Sequence, residues 1–401
     1  MFELKVWFYK TLMFLLKGVE FFMPQGKPLI LTGAGSSIEL CDTIARFGHK
    51  RVLLVTDKVL HELGLLQPML AALEGRGIQV SIYDGVLPDP TYTQVEEGIA
   101  QGRSVGADSV LAVGGGSPID AAKVIAAGLT NRVPVVKLTG IGKVKKPSLP
   151  LFVVPSTAGT GSEVTLAAVI SDPVTHAKTP VIDSGTMPLA AALDPEVQKG
   201  MPPSITAATG MDALTHAVEA YLSKKATPET DRYGLAAAGM IFEYLPRAYA
   251  DGNDMEAREA MALASCYAGL AFTKAYVGYV HAIAHAFGAL YGTPHGLANA
   301  IVMPYILEYS LDAASDRMAD LAVVAKLGEP QEGKLLLAQR LLDRVREMNK
   351  ELGVPETLEA LRPSDISDIA KTALHEAHYL YPVPKYMDQS QCEVILRRMV
   401  A

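Results

Sequence analysis

The sequence predicts an α/β amino-terminal domain on a parallel, doubly wound sheet, followed by an all-helical carboxyl-terminal domain. Three observations carry this prediction. Between Lys27 and Asp194, short apolar runs alternate with helix-length stretches. Runs such as Arg51–Thr56 (RVLLVT) are continuously apolar, as expected of parallel strands buried on both faces. From Thr206 onward the apolar spacing is helical and strand candidates vanish. At 401 residues the chain is also too long for one ordinary core. The change of character near Pro202-Pro203 divides it into an amino-terminal helix over 1–24, an α/β domain over 25–198 and a helical domain over 199–401.

Residues 1–23 form a separate element. Glu3, Lys10 and Lys17 recur every seven residues, which gives a helix a narrow polar stripe and a wide apolar face. The uncharged runs fall well short of the ~20 residues that span a bilayer, and Lys10 interrupts the apolar region expected of a signal peptide. Such a face is expected to pack on its own domain or on a sister subunit. Aromatic residues interspersed with lysines also suit peripheral contact with a membrane surface. Strands are expected at 28–31, Arg51–Thr56, Gln79–Tyr83, Ser109–Val113, Leu151–Val154 and Pro188–Asp194. Helices are expected at Ile38–Phe47, Leu66–Gly75 and Tyr92–Gly102.

The loops after these strands suggest a dinucleotide. Gly114, Gly115, Gly116 and Ser117 follow one strand directly. Glycines allow close backbone approach, and Ser117 is expected to cap a helix beginning at Pro118. The positive end of that helix suits a pyrophosphate, although the same sequence also makes a plain capped turn. Asp57 ends an earlier strand, where its carboxylate suits ribose hydroxyls and disfavours a 2′-phosphate, or is an ordinary cap at the strand end. Ser156, Thr157 and Thr160 sit in the hydroxyl- and glycine-rich loop after Leu151–Val154. They suit a second phosphate or the nicotinamide ribose, or merely hold that loop's own turns.

The helical domain carries the metal-type pattern. Asp212 and His216 are four apart, as are His281 and His285, so each pair shares a helix face. His295 follows in a Pro-His-Gly break. Asp212, His216, His281 and His295 make a plausible ligand set for a divalent transition metal, three imidazoles and one carboxylate with an open position. His285 is left over for proton chemistry. The same spacings also suit helix-surface hydrogen bonds, and only the rest of the chain favours the metal. Phe272, Tyr276, Tyr279 and Phe287 are candidate pocket lining at spacings that suit core equally well.

A net charge of −7 gives no basic field for nucleic acid. Three cysteines, far apart and without a CxxC pair, suggest free thiols in a reducing, cytoplasmic compartment.

In order along the chain, GGGSPIDAAK, PSTAGTGSEVT, TGMDALTHAVEAY and HAIAHAFGALYGTPHGLANAIVMP resemble the iron-containing (group III) alcohol dehydrogenases over about residues 27–401. The resemblance implies a dehydroquinate-synthase-like fold, with a dinucleotide-binding α/β domain, a helical metal-binding domain and the active site in the cleft. It implies Fe²⁺, or Zn²⁺ in some relatives, on Asp212, His216, His281 and His295. It implies NAD on Asp57, Asp89, Gly114, Gly115, Gly116, Ser117, Ser156, Thr157, Thr160 and Lys178, and His285 near the nicotinamide. The expected activity is hydride transfer between a primary alcohol or aldehyde and NAD(H), in a homo-oligomer of two or more subunits. Other expectations on the same fold are a hydroxyacid–oxoacid transhydrogenase or a lyase. A departure is Ala286-Phe287, where many members have Pro-Leu.

Overall fold

The computed structural model describes residues 2–3, 5–11, 26–174 and 177–401, which form two compact units. The described residues from 26 to 200 make one, and those of 2–11 with 201–401 make the other.

The first unit is built on six parallel strands: β1 (Leu29–Thr32), β2 (Arg51–Val55), β3 (Gln79–Tyr83), β4 (Ser109–Gly114), β6 (Leu151–Pro155) and β9 (Ala190–Leu193), in the order β1-β9-β6-β4-β2-β3. Every residue of β4, β6 and β9 is buried, which explains their unbroken apolar sequences. The pleat sends alternate residues to opposite faces. Leu53, Val55, Val110 and Val153 pack with Val95, Ile99 and Ile119 from the helices Tyr92–Ser104 and Gly116–Asn131. Val52, Leu54, Leu111, Phe152 and Val154 pack with Leu40, Ile44, Met69 and Leu73 from Ser36–Arg46 and Gln67–Glu74 on the other face. Fully burying each such side chain contributes about 1.5–3 kcal/mol, so both faces of the sheet are fixed by apolar area.

A smaller sheet of β5 (Gly140–Ile141), β7 (Ala167–Ser171) and β8 (Lys178–Ile182), in the order β5-β8-β7, was not expected from the sequence. Its β7–β8 pair is antiparallel. Pro180 sits within the middle strand, and proline inside a run argues against a central strand in sequence.

The second unit is helical. Its main elements are Pro203–Leu222, Pro228–Ala250, Met255–Ala275, Tyr279–Tyr291, His295–Val324, Lys334–Glu351, Ile366–Leu380 and Gln389–Arg397. Among the described residues beyond Leu193, the only β pairing is a bridge between Leu358 and Val400. Residues 2–3 and 5–11 are helical. Tyr9 is buried, with its ring 4.8 Å from His378, 5.3 Å from Tyr379 and 5.9 Å from Tyr386. This helix therefore packs on its own unit. Residues 12–23 of the expected amphipathic helix lie outside the described residues.

Candidate cofactor and metal sites

In the α/β unit the winding reverses between β2 and β4. The chain runs from β2 to β3 in one direction, and from β4 through β6 to β9 in the other. Ligands in open parallel sheets bind beyond the carboxyl ends of strands at such a switch point. Asp57 follows β2, and Gly114 ends β4 with Gly115–Ser117 after it, so the fold brings both to that point. One correction concerns Ser117. The helix begins at Gly116 with Gly115 as its cap residue and no side-chain cap, so Ser117 lies inside the first turn. The turn's amides are thus not occupied by the Ser117 hydroxyl, which leaves more backbone N–H for an anion than the expected cap would have.

The Ser156–Thr160 loop lies against this turn. Ser156 donates its backbone N–H to Gly114 O at 2.9 Å. A Cβ on Gly116 would lie 2.8 Å from Thr160 Cγ2, so the close approach of the two loops requires glycine there. Thr157 borders Gly115 at ordinary contact distance, its Oγ1 3.4 Å from where a Cβ would stand. Asp57 caps the short helix Lys58–Glu62, its Oδ1 accepting from Leu60 N at 2.9 Å. Asp89 and Lys178 form an ion pair at 2.7 Å. Every expected cofactor residue therefore lies in the α/β unit.

In the helical unit, Asp212 and His216 come from Pro203–Leu222, His281 from Tyr279–Tyr291, and His295 from the first turn of His295–Val324. One ligand atom each of Asp212, His216 and His281 lies within 4.8 Å of the others, and all three residues are buried. His295 is outside that trio and its side chain is one-third exposed, but its Nε2 is 3.5 Å from Asp212 Oδ1. The same oxygen is 3.7 Å from His281 Nε2, and Asp212 Oδ2 is 3.9 Å from His216 Nδ1. Two atoms each about 2.1 Å from one ion stand roughly 3–3.5 Å apart, so these spacings need little contraction to share a cation. His281 Nε2 is buried without a hydrogen-bond partner, an arrangement that is costly unless something occupies its lone pair. Burial, reinforced by the His216, His295 and His285 rings, pushes the His281 imidazolium well below its usual pKa. The ring is therefore the neutral imidazole that a metal needs. The residues fit a divalent cation.

His285 stacks on His295, with ring centroids 5.2 Å apart. Its Nδ1 lies 2.7 Å from Glu376 Oε1. Phe272 stacks on His216 at 4.2 Å, and Tyr276 is half-buried with a left-handed φ of 66°. Of the two readings left open for Tyr279 and Phe287, pocket lining or core, both residues are buried, at 2% and 0% exposure. The Ala286-Phe287 departure thus falls on buried positions.

Residues 28–195 match the iron-containing alcohol dehydrogenase family, and residues 206–400 match the carboxyl-terminal part of the Fe-containing alcohol dehydrogenase family. The chain belongs to the iron-containing alcohol dehydrogenase family. It is 39% identical to the NAD-dependent methanol dehydrogenase of Bacillus methanolicus over 361 residues, 89% of this chain and 93% of that one. The crystal structure of a 1,3-propanediol oxidoreductase superposes with a TM-score of 0.91 at 35% identity, covering 94% of this chain and 100% of that one. Sulfoacetaldehyde reductase from Bifidobacterium kashiwanohense, solved with NAD⁺, superposes with a TM-score of 0.86 at 30% identity, covering 95% and 99%. The enzyme is an NAD-linked, iron-type alcohol dehydrogenase or aldehyde reductase.

Sequence reasoning missed Glu219, Asn299 and Lys123 of this alcohol dehydrogenase, among others. Glu219 is buried and accepts from Gly278 N at 2.8 Å, Val280 N at 2.7 Å and His281 Nδ1 at 2.7 Å. One carboxylate thus satisfies amides at the start of the Tyr279–Tyr291 helix and turns His281 Nε2 toward Asp212. Burial pushes Glu219 up to about 7, against the pull of these hydrogen bonds. The signal was present, because Asp212, His216 and Glu219 stand at i, i+4 and i+7 on one helix face.

Asn299, one turn after His295, donates to Asp212 Oδ1 at 2.7 Å. The helix bearing both starts very close to its neighbour. A Cβ on Gly296 would lie 2.2 Å from Ala208 O, so the glycine of the Pro-His-Gly break is a packing requirement. In the α/β unit, Lys123 is fully buried and donates to Ser162 Oγ at 2.8 Å, Thr165 Oγ1 at 2.8 Å and Ala167 O at 2.7 Å. Asp120 accepts from Ser162 Oγ at 2.7 Å. The helix that starts at the glycine turn thereby holds the segment that follows Thr160.

Proposed function

We propose that Asp212, His216, His281 and His295 hold the iron of this dehydrogenase, that the β2 and β4 loops hold NAD, and that His285 moves the alcohol proton. The observation that carries the reading is the buried, unpartnered His281 Nε2 aimed at a carboxylate shared with two further imidazoles. Iron(II), when bound, supplies a Lewis acid that lowers the pKa of an alcohol, and NAD⁺ supplies the hydride acceptor. The chain's own residues do the rest. Asp212 brings the negative charge that offsets the cation, and Glu219 fixes the His281 tautomer. His285 Nε2 accepts the hydroxyl proton as the alcohol is oxidised and returns it in aldehyde reduction. Asp57 selects NAD by repelling a 2′-phosphate.

The substrate is a small primary alcohol or its aldehyde. This is supported by relatives named for methanol, 1,3-propanediol and sulfoacetaldehyde, and by the aromatic face of Phe272 on His216. A screen of NADH formation across primary alcohols and hydroxyacids, with iron and zinc restored in turn, tests this. Turnover of primary alcohols with net NADH release is expected. Activity only when a hydroxyacid and an oxoacid are supplied together would favour a transhydrogenase. Asp57→Ser is expected to shift the kcat/KM ratio toward NADP⁺ by about tenfold.

We also infer that the enzyme is a homo-oligomer in the cytoplasm and that its amino-terminal helix touches membrane surfaces. Trp7 and Phe8 are 65% and 51% exposed beside exposed Lys5 and Lys10, the chemistry of an interfacial face. No described helix is long and apolar enough to cross a membrane. Sedimentation with anionic vesicles is expected for the full chain and reduced for Trp7→Ala/Phe8→Ala. Equal recovery of both in the supernatant contradicts the inference.

A further inference from the structure

Among the titratable side chains of the helical unit, Glu376 and Tyr381 belong to no expected ligand or cofactor set, yet they converge on His285. Glu376 lies on Ile366–Leu380 and His285 on Tyr279–Tyr291, so the contact joins residues 91 apart in sequence. Glu376 Oε1 is 2.7 Å from His285 Nδ1, and the Tyr381 hydroxyl donates to the same oxygen at 2.5 Å. The two side chains of the His285–Glu376 pair are only 33% and 24% exposed. A carboxylate offers no proton, so Nδ1 must be the donor of this bond.

We propose that Glu376, clamped by Tyr381, is the positioning residue for the proton step: it fixes His285 as the tautomer with hydrogen on Nδ1 and leaves Nε2 to take the proton. The proposal rests on His285 being the proton-moving group of the reaction. Three contacts define the ring. Glu376 sets its tautomer and its rotation about the side-chain axis, the His295 ring covers one face at 5.2 Å, and the helix fixes its root. Without Glu376, His285 loses the hydrogen bond at Nδ1 and interchanges tautomers, so half or more of the molecules present an N–H where an acceptor is needed. Burial pushes the Glu376 carboxyl up, but the His285 and Tyr381 hydrogen bonds and the neighbouring imidazoles outweigh it and hold it below its usual value. The carboxylate is therefore ionised and able to accept from both donors. Burial pushes the Tyr381 hydroxyl well above its usual value, which keeps it a donor. When His285 Nε2 takes the alcohol proton, the resulting imidazolium faces a fixed negative charge across the ring, which stabilises it where it forms.

A double-mutant cycle on the iron-loaded, full-length enzyme tests this. Glu376→Ala is expected to lower kcat for alcohol oxidation by about ten- to a hundredfold, by analogy with removal of a carboxylate that orients a metal-bound imidazole. Bound iron per subunit and KM for NAD⁺ should be unchanged, a split that a general loss of packing would not give. Glu376→Gln, which keeps the shape and one acceptor oxygen, should recover part of the loss and guards against a folding defect in the alanine variant. Glu376→Ala combined with His285→Ala should be no slower than His285→Ala alone, because both act through one group. Unchanged kcat in Glu376→Ala while His285→Ala is slow, or losses that multiply in the double variant, would overturn the assignment of Glu376. Full turnover in His285→Ala would instead overturn the proton-moving reading beneath it, and with it the proposal.

Discussion

Replacing His281 with alanine is expected to remove bound iron and lower kcat/KM by about a thousandfold or more. The magnitude follows from the several kcal/mol that a Lewis acid supplies at a developing negative oxygen, each 1.36 kcal/mol being about a factor of ten. His281 is the most exacting of the four positions. Its ring is buried at 2% exposure and stands 4.4 Å from the His216 ring. Alanine deletes Nε2, which has no hydrogen-bond partner, so the cation loses a ligand. It also deletes the Nδ1 bond to Glu219, which keeps its two backbone donors Gly278 N and Val280 N. Thermal stability of the iron-free protein should fall by the loss of one buried hydrogen bond and of ring packing, a smaller change than the loss of activity. Metal analysis alongside steady-state kinetics reads both effects. A variant that kept its iron and lost activity would place His281 in the chemistry and not in the ligand set.

Glu219→Ala is expected to weaken iron binding by about ten- to a hundredfold and to destabilise the helical unit as well. The carboxylate accepts from Gly278 N, Val280 N and His281 Nδ1. Removing it strands two buried backbone donors at about 1–3 kcal/mol each. It also frees His281 to present either nitrogen. Glutamine is not a neutral replacement, because its amide nitrogen must point a donor at one of these three donors. Iron affinity measured by competition with a chelator, together with Tm of the iron-free protein, separates the two losses. Both should fall for Glu219→Ala, whereas His281→Ala should lose iron affinity strongly and Tm by less than Glu219→Ala, because Gly278 N and Val280 N keep their acceptor.

The parts of the molecule legible in sequence are those with short-range physics. The inner strands β2, β4 and β6 are largely apolar runs because both sheet faces are covered by helices, and the alternating edge strand Gln79–Tyr83 is read to the residue. Asp212/His216 and His281/His285 are visible because a helix turns once in 3.6 residues. Glu219 obeys the same rule at the next step, and went unseen because a lone glutamate on a helix is ordinarily a solvated one. Glu376 gave no signal at all, since its contact with His285 depends on how two distant helices pack. The small sheet was hidden by Pro180 and by strands of two to five residues. The misplaced Ser117 cap has a simpler origin. Preference for serine at a helix start is a statement about helices with no ligand, and here a glycine takes that position, leaving the turn's amides open.

The central claim is that one carboxylate and three imidazoles of the helical unit share a single ion. Anomalous diffraction across the iron absorption edge, from crystals reconstituted anaerobically with Fe²⁺, tests it most directly. The account predicts one strong iron peak within about 2.0–2.3 Å of Asp212, His216, His281 and His295. A peak bound elsewhere, or one that leaves any of these four side chains out of reach, would contradict it.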